Sequence, residues 1–199
     1  MSTRSAAACW LAAGIAYLTL EAITAAALPG YRYGHDYISD LGRPDSPLSP
    51  LMNSAFVVQG SLFLAGAVLL ARAAHIKGRG RFFVSCAAAN AVGNIVVAIV
   101  PSGAAGIPWL HVSAAVLAIV GGNVAILAGS ALAGASHHYR AASIGLATLG
   151  LLSFVLLAIA STTSVTTVLP GAVLERTSVY TIIAWQVLSS FRLLVRPIE

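Results

Sequence analysis

The run PWLHVSAAVLAIVGGNVAILAGSALA, from Pro108 to Ala133, contains no Asp, Glu, Lys or Arg. An α-helix needs about 20 apolar residues to cross a hydrocarbon core of about 30 Å, and this run exceeds that length. Apolar stretches of similar length, broken by Gly, Pro and charge, recur at 6–28, 49–72, 82–101, 141–161 and 173–194. Over the 199 residues, 58% are hydrophobic, 9% are charged and the mean hydropathy is +0.88. A soluble domain carries about 25% charged residues, so the apolar surplus here must face lipid. The expected fold is an all-α membrane protein: a bundle of six transmembrane helices in a single domain over 1–199. Its connections leave no length for a separate soluble domain.

Punctuation supports these spans. Pro50, Pro108 and Pro170 stand at or just before helix starts, where a missing amide donor costs nothing. Ser49 is placed to cap the second helix. The first run, with Arg4 ahead of it and Ala25-Ala26-Ala27 at its end, has the outline of a signal peptide. It is long for one and carries Glu21 in its last third, so it is read as a retained helix.

Orientation follows from basic residues near the span ends. One side collects Arg4, Arg72, Lys77, Arg79, Arg81, Arg140, Arg192 and Arg196, and the other only Arg32, Arg43 and Arg176. The richer side is expected in the cytoplasm, which puts both termini inside a cell-membrane protein and makes the Tyr31–Ser49 connection a long extracytoplasmic loop. The net charge of +5 does not indicate nucleic acid, because these residues are scattered over loop ends and form no stripe with aromatics. Cys9 and Cys86 both fall in apolar runs, which argues against a disulfide or a CxxC metal site.

The fourth span carries two ladders of small residues at spacing four, Gly121/Ala125/Gly129/Ala133 and Ala114/Ala118/Gly122. Such ladders let helices approach closely, so a central place in the bundle is expected for it.

Once oriented, the polar residues gather at the outer end. The long loop holds Tyr31, Tyr33 and Tyr37, suited to a membrane interface, and then His35-Asp36-Tyr37-Ile38-Ser39-Asp40-Leu41-Gly42. If this forms a short helix ending at Gly42, Asp36 and Asp40 share a face. They then either hold a cation, an arginine or a proton between them, or are solvated loop acids with Asp40 capping a turn. His111, one turn into the fourth helix, sits where the helix dipole disfavours added positive charge. It is either a proton acceptor or metal ligand, or a ring that hydrogen-bonds a loop carbonyl. Glu175 suits the first turn of the sixth helix. Arg176 beside it opposes the dipole and lies on the side poor in basic residues, so it needs a carboxylate: Asp36, Asp40 or Glu21, with Asp40 the preferred partner. Glu21 is the one carboxylate well inside a span, and an intramembrane acid is a functional candidate. Asn53, Gln59, Asn90, Asn94, Asn123 and Gln186 are expected to hydrogen-bond between helices.

The stretch Tyr37-Ile38-Ser39-Asp40-Leu41-Gly42, the Pro-containing helix start with Asn53, the third span ending in Pro101, the Leu110-His111 helix start, and Leu174-Glu175-Arg176 with Trp185 give a resemblance over nearly the whole chain. The chain resembles the bacterial and archaeal multi-pass membrane family catalogued as domain of unknown function 998. The resemblance implies a fold of about six helices and brings no chemistry with it.

Two functions fit these residues. The first is a membrane-embedded enzyme or binding protein with an outward-facing polar pocket for a lipid, isoprenoid or other amphiphile. Asp40, His111 and Glu175 would be its catalytic groups, and Arg176, Asp36, Glu21, Ser39 and Asn53 would contact the ligand. The second is a non-catalytic subunit of a membrane-protein complex, its outer cluster a salt-bridge network. No metal site is assigned, since neither HExxH nor a three-histidine pattern occurs, and no cofactor is implied. A proton or ion route and haem ligation are disfavoured by the lack of ionisable residues in the inner half.

Overall fold

The computed structural model describes residues 3–73, 78–103, 107–131, 136–163 and 168–195; His75, Lys77, Ala133, Arg196 and Glu199 lie outside the described residues. Each apolar run forms one helix: α1 (Thr3–Ala27), α2 (Ser49–Ala73), α3 (Gly78–Ile99), α4 (Pro108–Gly129), α5 (His137–Thr162) and α6 (Gly171–Val195). All six are long and apolar enough to cross a membrane, and the described residues contain no strand. α3 and α5 start several residues before their apolar runs because backbone hydrogen bonding continues through the polar segments at 78–81 and 137–140. α5 is capped by Ser136, whose hydroxyl accepts from the Tyr139 amide at 3.3 Å. Ser49 does not cap α2. The Leu48 carbonyl accepts from the amides of Leu51 and Met52, so Ser49 is already helical.

The helices form a ring in chain order, each packed on the next, with α6 returning to α1. α4 also touches α6 across the ring, which leaves α5 on the outside of that contact. Burial agrees: 50% of the apolar window of α4 and of α6 is buried, against 22% for α5. The seam between α3 and α4 is set by glycine. A Cβ on Gly121 would lie 2.9 Å from the Asn90 amide nitrogen and 3.0 Å from the Cys86 carbonyl oxygen, both backbone atoms of α3. Bare backbone is therefore required where these helices cross.

Near the end of the bundle where α1 begins, Trp10, Phe63, Phe83 and Trp185 form an aromatic core from four helices. The closest pair of centroids is Trp10 and Trp185, at 5.1 Å. Their indole N–H groups are satisfied within it: Trp10 donates to the Phe63 carbonyl at 3.1 Å and Trp185 to the Ser143 hydroxyl at 3.0 Å. Cys9 and Cys86 are free and partly buried.

At the opposite end the Tyr31–Ser49 loop folds back over the bundle. Gly30, at φ +78°, turns the chain out of α1. The loop's only helical element is the 3-10 turn Ile38–Gly42, with Ile38 and Leu41 buried as its anchors. Asp36 precedes this turn, so the expected helical face shared by Asp36 and Asp40 does not form.

Candidate functional site

Arg176 lies in the first turns of α6 and is 7% exposed; Glu21, facing it from α1, is 1% exposed. Their closest approach is 3.6 Å, from Nε to Oε1. Tyr180, one turn along α6, donates its hydroxyl to both Glu21 oxygens at 2.9 Å. The rest of the guanidinium serves the loop. Nη1 donates to the carbonyls of Tyr33 at 2.7 Å and Asp36 at 2.6 Å, Nη2 donates to the Tyr31 hydroxyl, and the plane lies over the Tyr33 ring at 4.9 Å. This combination of fixed fork geometry and aromatic contact is available to arginine and not to lysine. The Arg176 partner is thus Glu21 and not the preferred Asp40. Asp40 and Asp36 are unavailable because each carboxylate already caps its own turn. Asp40 Oδ2 accepts from the Tyr37 amide at 3.0 Å, and Asp36 Oδ2 accepts from the Arg32 amide at 2.6 Å.

Of the loop's tyrosines, Tyr31 is partly buried and Tyr33 and Tyr37 are exposed. Burial pushes the Tyr31 phenol well above its ordinary pKa, so it remains a neutral hydroxyl against Arg176. Its own O–H donates to the Tyr37 carbonyl at 3.0 Å. Tyr37 is raised by burial and by the nearby charges of Glu175 and Asp40. Arg43 and Asp45 pair at 3.0 Å on the water side, where the hydrogen bond holds the Asp45 carboxyl below its usual range. Asp36 and Asp40 line an open groove there of about 290 Å³, along with Arg43 and Asp45. His35 is exposed.

Beneath the loop, inside the ring, lies a chamber of about 50 Å³ accessible to the centres of water molecules. Ile38 and Ser39 of the 3-10 turn form its roof. Glu175 of α6 fastens that roof, its Oε2 accepting from the Ile38 amide at 2.5 Å. His111 of α4, Tyr17 of α1, Gln59 of α2, and Asn90 and Asn94 of α3 supply the polar walls. The His111 ring has its Nδ1 2.7 Å from the Val100 carbonyl. A carbonyl only accepts, so Nδ1 carries a proton, and in the neutral form of the ring Nε2 is then an acceptor. Asn90 Nδ2 donates to the Ala118 carbonyl at 2.7 Å, and its Oδ1 is buried without a hydrogen-bond partner. Asn53 is not a wall; its Nδ2 ties the end of the 3-10 turn to α2 by donating to the Gly42 carbonyl at 3.1 Å.

The residues singled out in the sequence are therefore divided by the roof. His111, Glu175 and Ser39 line the chamber, Asp36 and Asp40 the outer groove, and Glu21, Arg176 and Asn53 hold the loop to the bundle. Gln59 and Asn90 bond between helices as expected, to Gln186 of α6 and Ala118 of α4, and together with Asn94 and Tyr17 they also belong to the chamber wall. Asn90 and Asn94, four residues apart on α3, carried the signal: a repeated amide on one helical face. Among the described residues no group of three or more His, Cys, Asp or Glu is arranged to hold a metal ion.

No curated protein and no solved structure matches the chain. A family model described as "Protein of unknown function (DUF998)" matches residues 11–192, nearly the whole of the bundle and its loops. The chain is therefore a multi-pass, six-helix member of the DUF998 family.

Proposed function

We propose that this protein binds the polar tip of an amphiphile, a lipid or isoprenoid, in the chamber beneath the first loop, while the apolar part of that molecule stays in the bilayer. The loop end then faces away from the cytoplasm, in line with the eleven basic residues dividing eight to three. The observation that carries the reading is the enclosed space itself, lined mostly by apolar side chains such as Phe56, Val97 and Ile182, with a few polar groups that are incompletely satisfied. Buried polar groups are ordinarily hydrogen-bonded, and a chamber holding an unpartnered amide oxygen among Glu175, His111 and Asn94 is built for something that enters it. Its size admits a headgroup fragment and no acyl chain. Should the bound molecule be chemically altered, Glu175 and His111 are the two groups in reach with proton-transfer chemistry, and Ser39 and Asn90 position it.

A second reading, an accessory subunit of a membrane complex, is favoured by Arg176. Every group around that guanidinium comes from the chain itself, as in a purely structural clamp.

The two readings separate on what the purified protein carries. Mass spectrometry of the detergent-extracted full chain should find one amphiphile retained at a fixed ratio, and Ala115→Phe, which projects bulk from the chamber wall, should lose it. An unchanged ratio in Ala115→Phe would remove the chamber as the binding site; absence of any retained amphiphile from the unaltered protein favours the accessory reading.

A further inference from the structure

Three acceptors of the chamber wall are left open, beside the donors of Tyr17, Ser39 and Gln59. Asn90 is 1% exposed, its amide nitrogen is committed to the Ala118 carbonyl, and its Oδ1 is left as an acceptor with no donor. His111 presents Nε2 as an acceptor once Nδ1 is given to the Val100 carbonyl. Glu175 accepts the Ile38 amide and a side-chain hydrogen bond from Ser39, and its two oxygens, with about four lone-pair sites, retain capacity for a further donor. No lysine or arginine is among the lining residues.

Charge points the same way. At this end of the bundle Glu21 and Glu175 are enclosed with one guanidinium, Arg176, and that guanidinium approaches Glu21. Arg43, the basic residue of the outer groove, is engaged with Asp45 on the water side. One carboxylate is thus left over in a poorly solvated place, which favours a cation beside it. The N-termini of α4 and α6 lie at this end and carry about half a positive charge each, but that field fades within a turn. Asn90 sits at the middle of α3, beyond it, and at His111 and Glu175, near those N-termini, the partial charge is set against the full charge of the Glu175 carboxylate.

We propose that the chamber receives a primary ammonium group, whose three N–H donors meet Asn90 Oδ1, His111 Nε2 and Glu175. The proposal rests on the chamber being a ligand site and names the chemistry it selects. At roughly 10–15 Å³ per water-sized centre the space holds about three to five such centres, enough for an aminoethyl tip or a free methylammonium ion. A quaternary ammonium group has no N–H to donate, and an anion would face the Glu175 carboxylate.

The test uses the full chain in nanodiscs of choline-headgroup lipid at constant ionic strength, read as the thermal unfolding midpoint. Methylammonium chloride should raise the midpoint saturably, by about 5 °C at large excess, whereas tetramethylammonium chloride and sodium acetate should not. Glu175→Gln, which keeps an acceptor for the Ile38 amide, should respond at least about tenfold more weakly. Replacing the disc lipid by an ethanolamine-headgroup lipid separates the two sources. A raised midpoint with a blunted methylammonium response identifies the lipid headgroup, and an unchanged response identifies a free amine. Equal stabilisation by acetate or tetramethylammonium, no response to methylammonium in choline discs, or a full response in Glu175→Gln would overturn the ammonium assignment. The chamber reading survives that result if Ala115→Phe still releases a retained amphiphile, and falls with it if nothing is retained.

Discussion

The guanidinium of Arg176 joins three things that are far apart in the chain: the carboxylate of Glu21, the carbonyls of Tyr33 and Asp36, and the rings of Tyr31 and Tyr33. Removing it strands Glu21 at 1% exposure and unfastens the loop. Arg176→Ala is expected to lower stability by about 3–5 kcal/mol, the usual cost of breaking a buried pair from one side. Asp40→Ala, which removes the acceptor for the Tyr37 amide together with a long hydrogen bond from Ser102 and a partly exposed pairing with Arg43, should cost about 1 kcal/mol. Denaturant unfolding of both variants in mixed micelles checks the order. Equal losses would mean that the clamp contributes no more than a turn cap. The need of Arg176 for a carboxylate was visible in the sequence, from the dipole and the charge count, but the choice among three carboxylates was not. Asp36 and Asp40 are withdrawn by backbone amides of their own loop, and the two carbonyls that share the guanidinium belong to main chain. Main-chain acceptors leave no trace in side-chain identity.

Helices α3 and α4 meet backbone to backbone, and the glycines of that seam are not equivalent to glycines elsewhere. Gly121→Ala pushes a methyl against the Asn90 and Cys86 backbone of α3, whereas Gly145→Ala on α5 meets nothing within 4 Å. The first should destabilise by about 1–3 kcal/mol through overpacking. The second should be neutral or stabilising by up to about 1 kcal/mol, because alanine is the better helix former. Unfolding midpoints of the two purified variants decide the matter, and a tolerant Gly121→Ala would mean the seam is looser than the backbone distances require. The six spans were legible because lipid imposes a single long-range demand, sustained apolarity, that any stretch of sequence either meets or fails. The 3-10 turn at Ile38–Gly42 was not: its length is set by Asp40 reaching back to Tyr37, by Ile38 and Leu41 burying against the bundle, and by Asn53 holding Gly42. Likewise Gln59 and Asn90 have the composition of interhelical glue, and only the ring closure turns their faces toward a common space.

The ring as a whole separates an aromatic, tightly filled end from an end that is polar and partly hollow. If the charge asymmetry sets its direction, a thiol probe that cannot cross membranes should label Asp45→Cys in intact cells and leave Arg140→Cys unlabelled until the cells are opened; both positions are exposed. The reverse pattern would invert the bundle. The order of synthesis gives the roof of the chamber a timing. α1 to α4 make their main contacts with chain neighbours and can associate as they are inserted, but the roof cannot be fixed with them. Its bolts, Glu175 and Arg176, belong to the sixth helix, and the Glu175 hydrogen bond reaches back 137 residues to Ile38. Until α6 enters the membrane, Glu21 lacks the countercharge of Arg176 and the loop is without its ties to α6, held by Asn53 of α2 at Gly42. A closed roof is thus a mark of a finished chain, and a truncated one leaves the ribosome with its chamber still open.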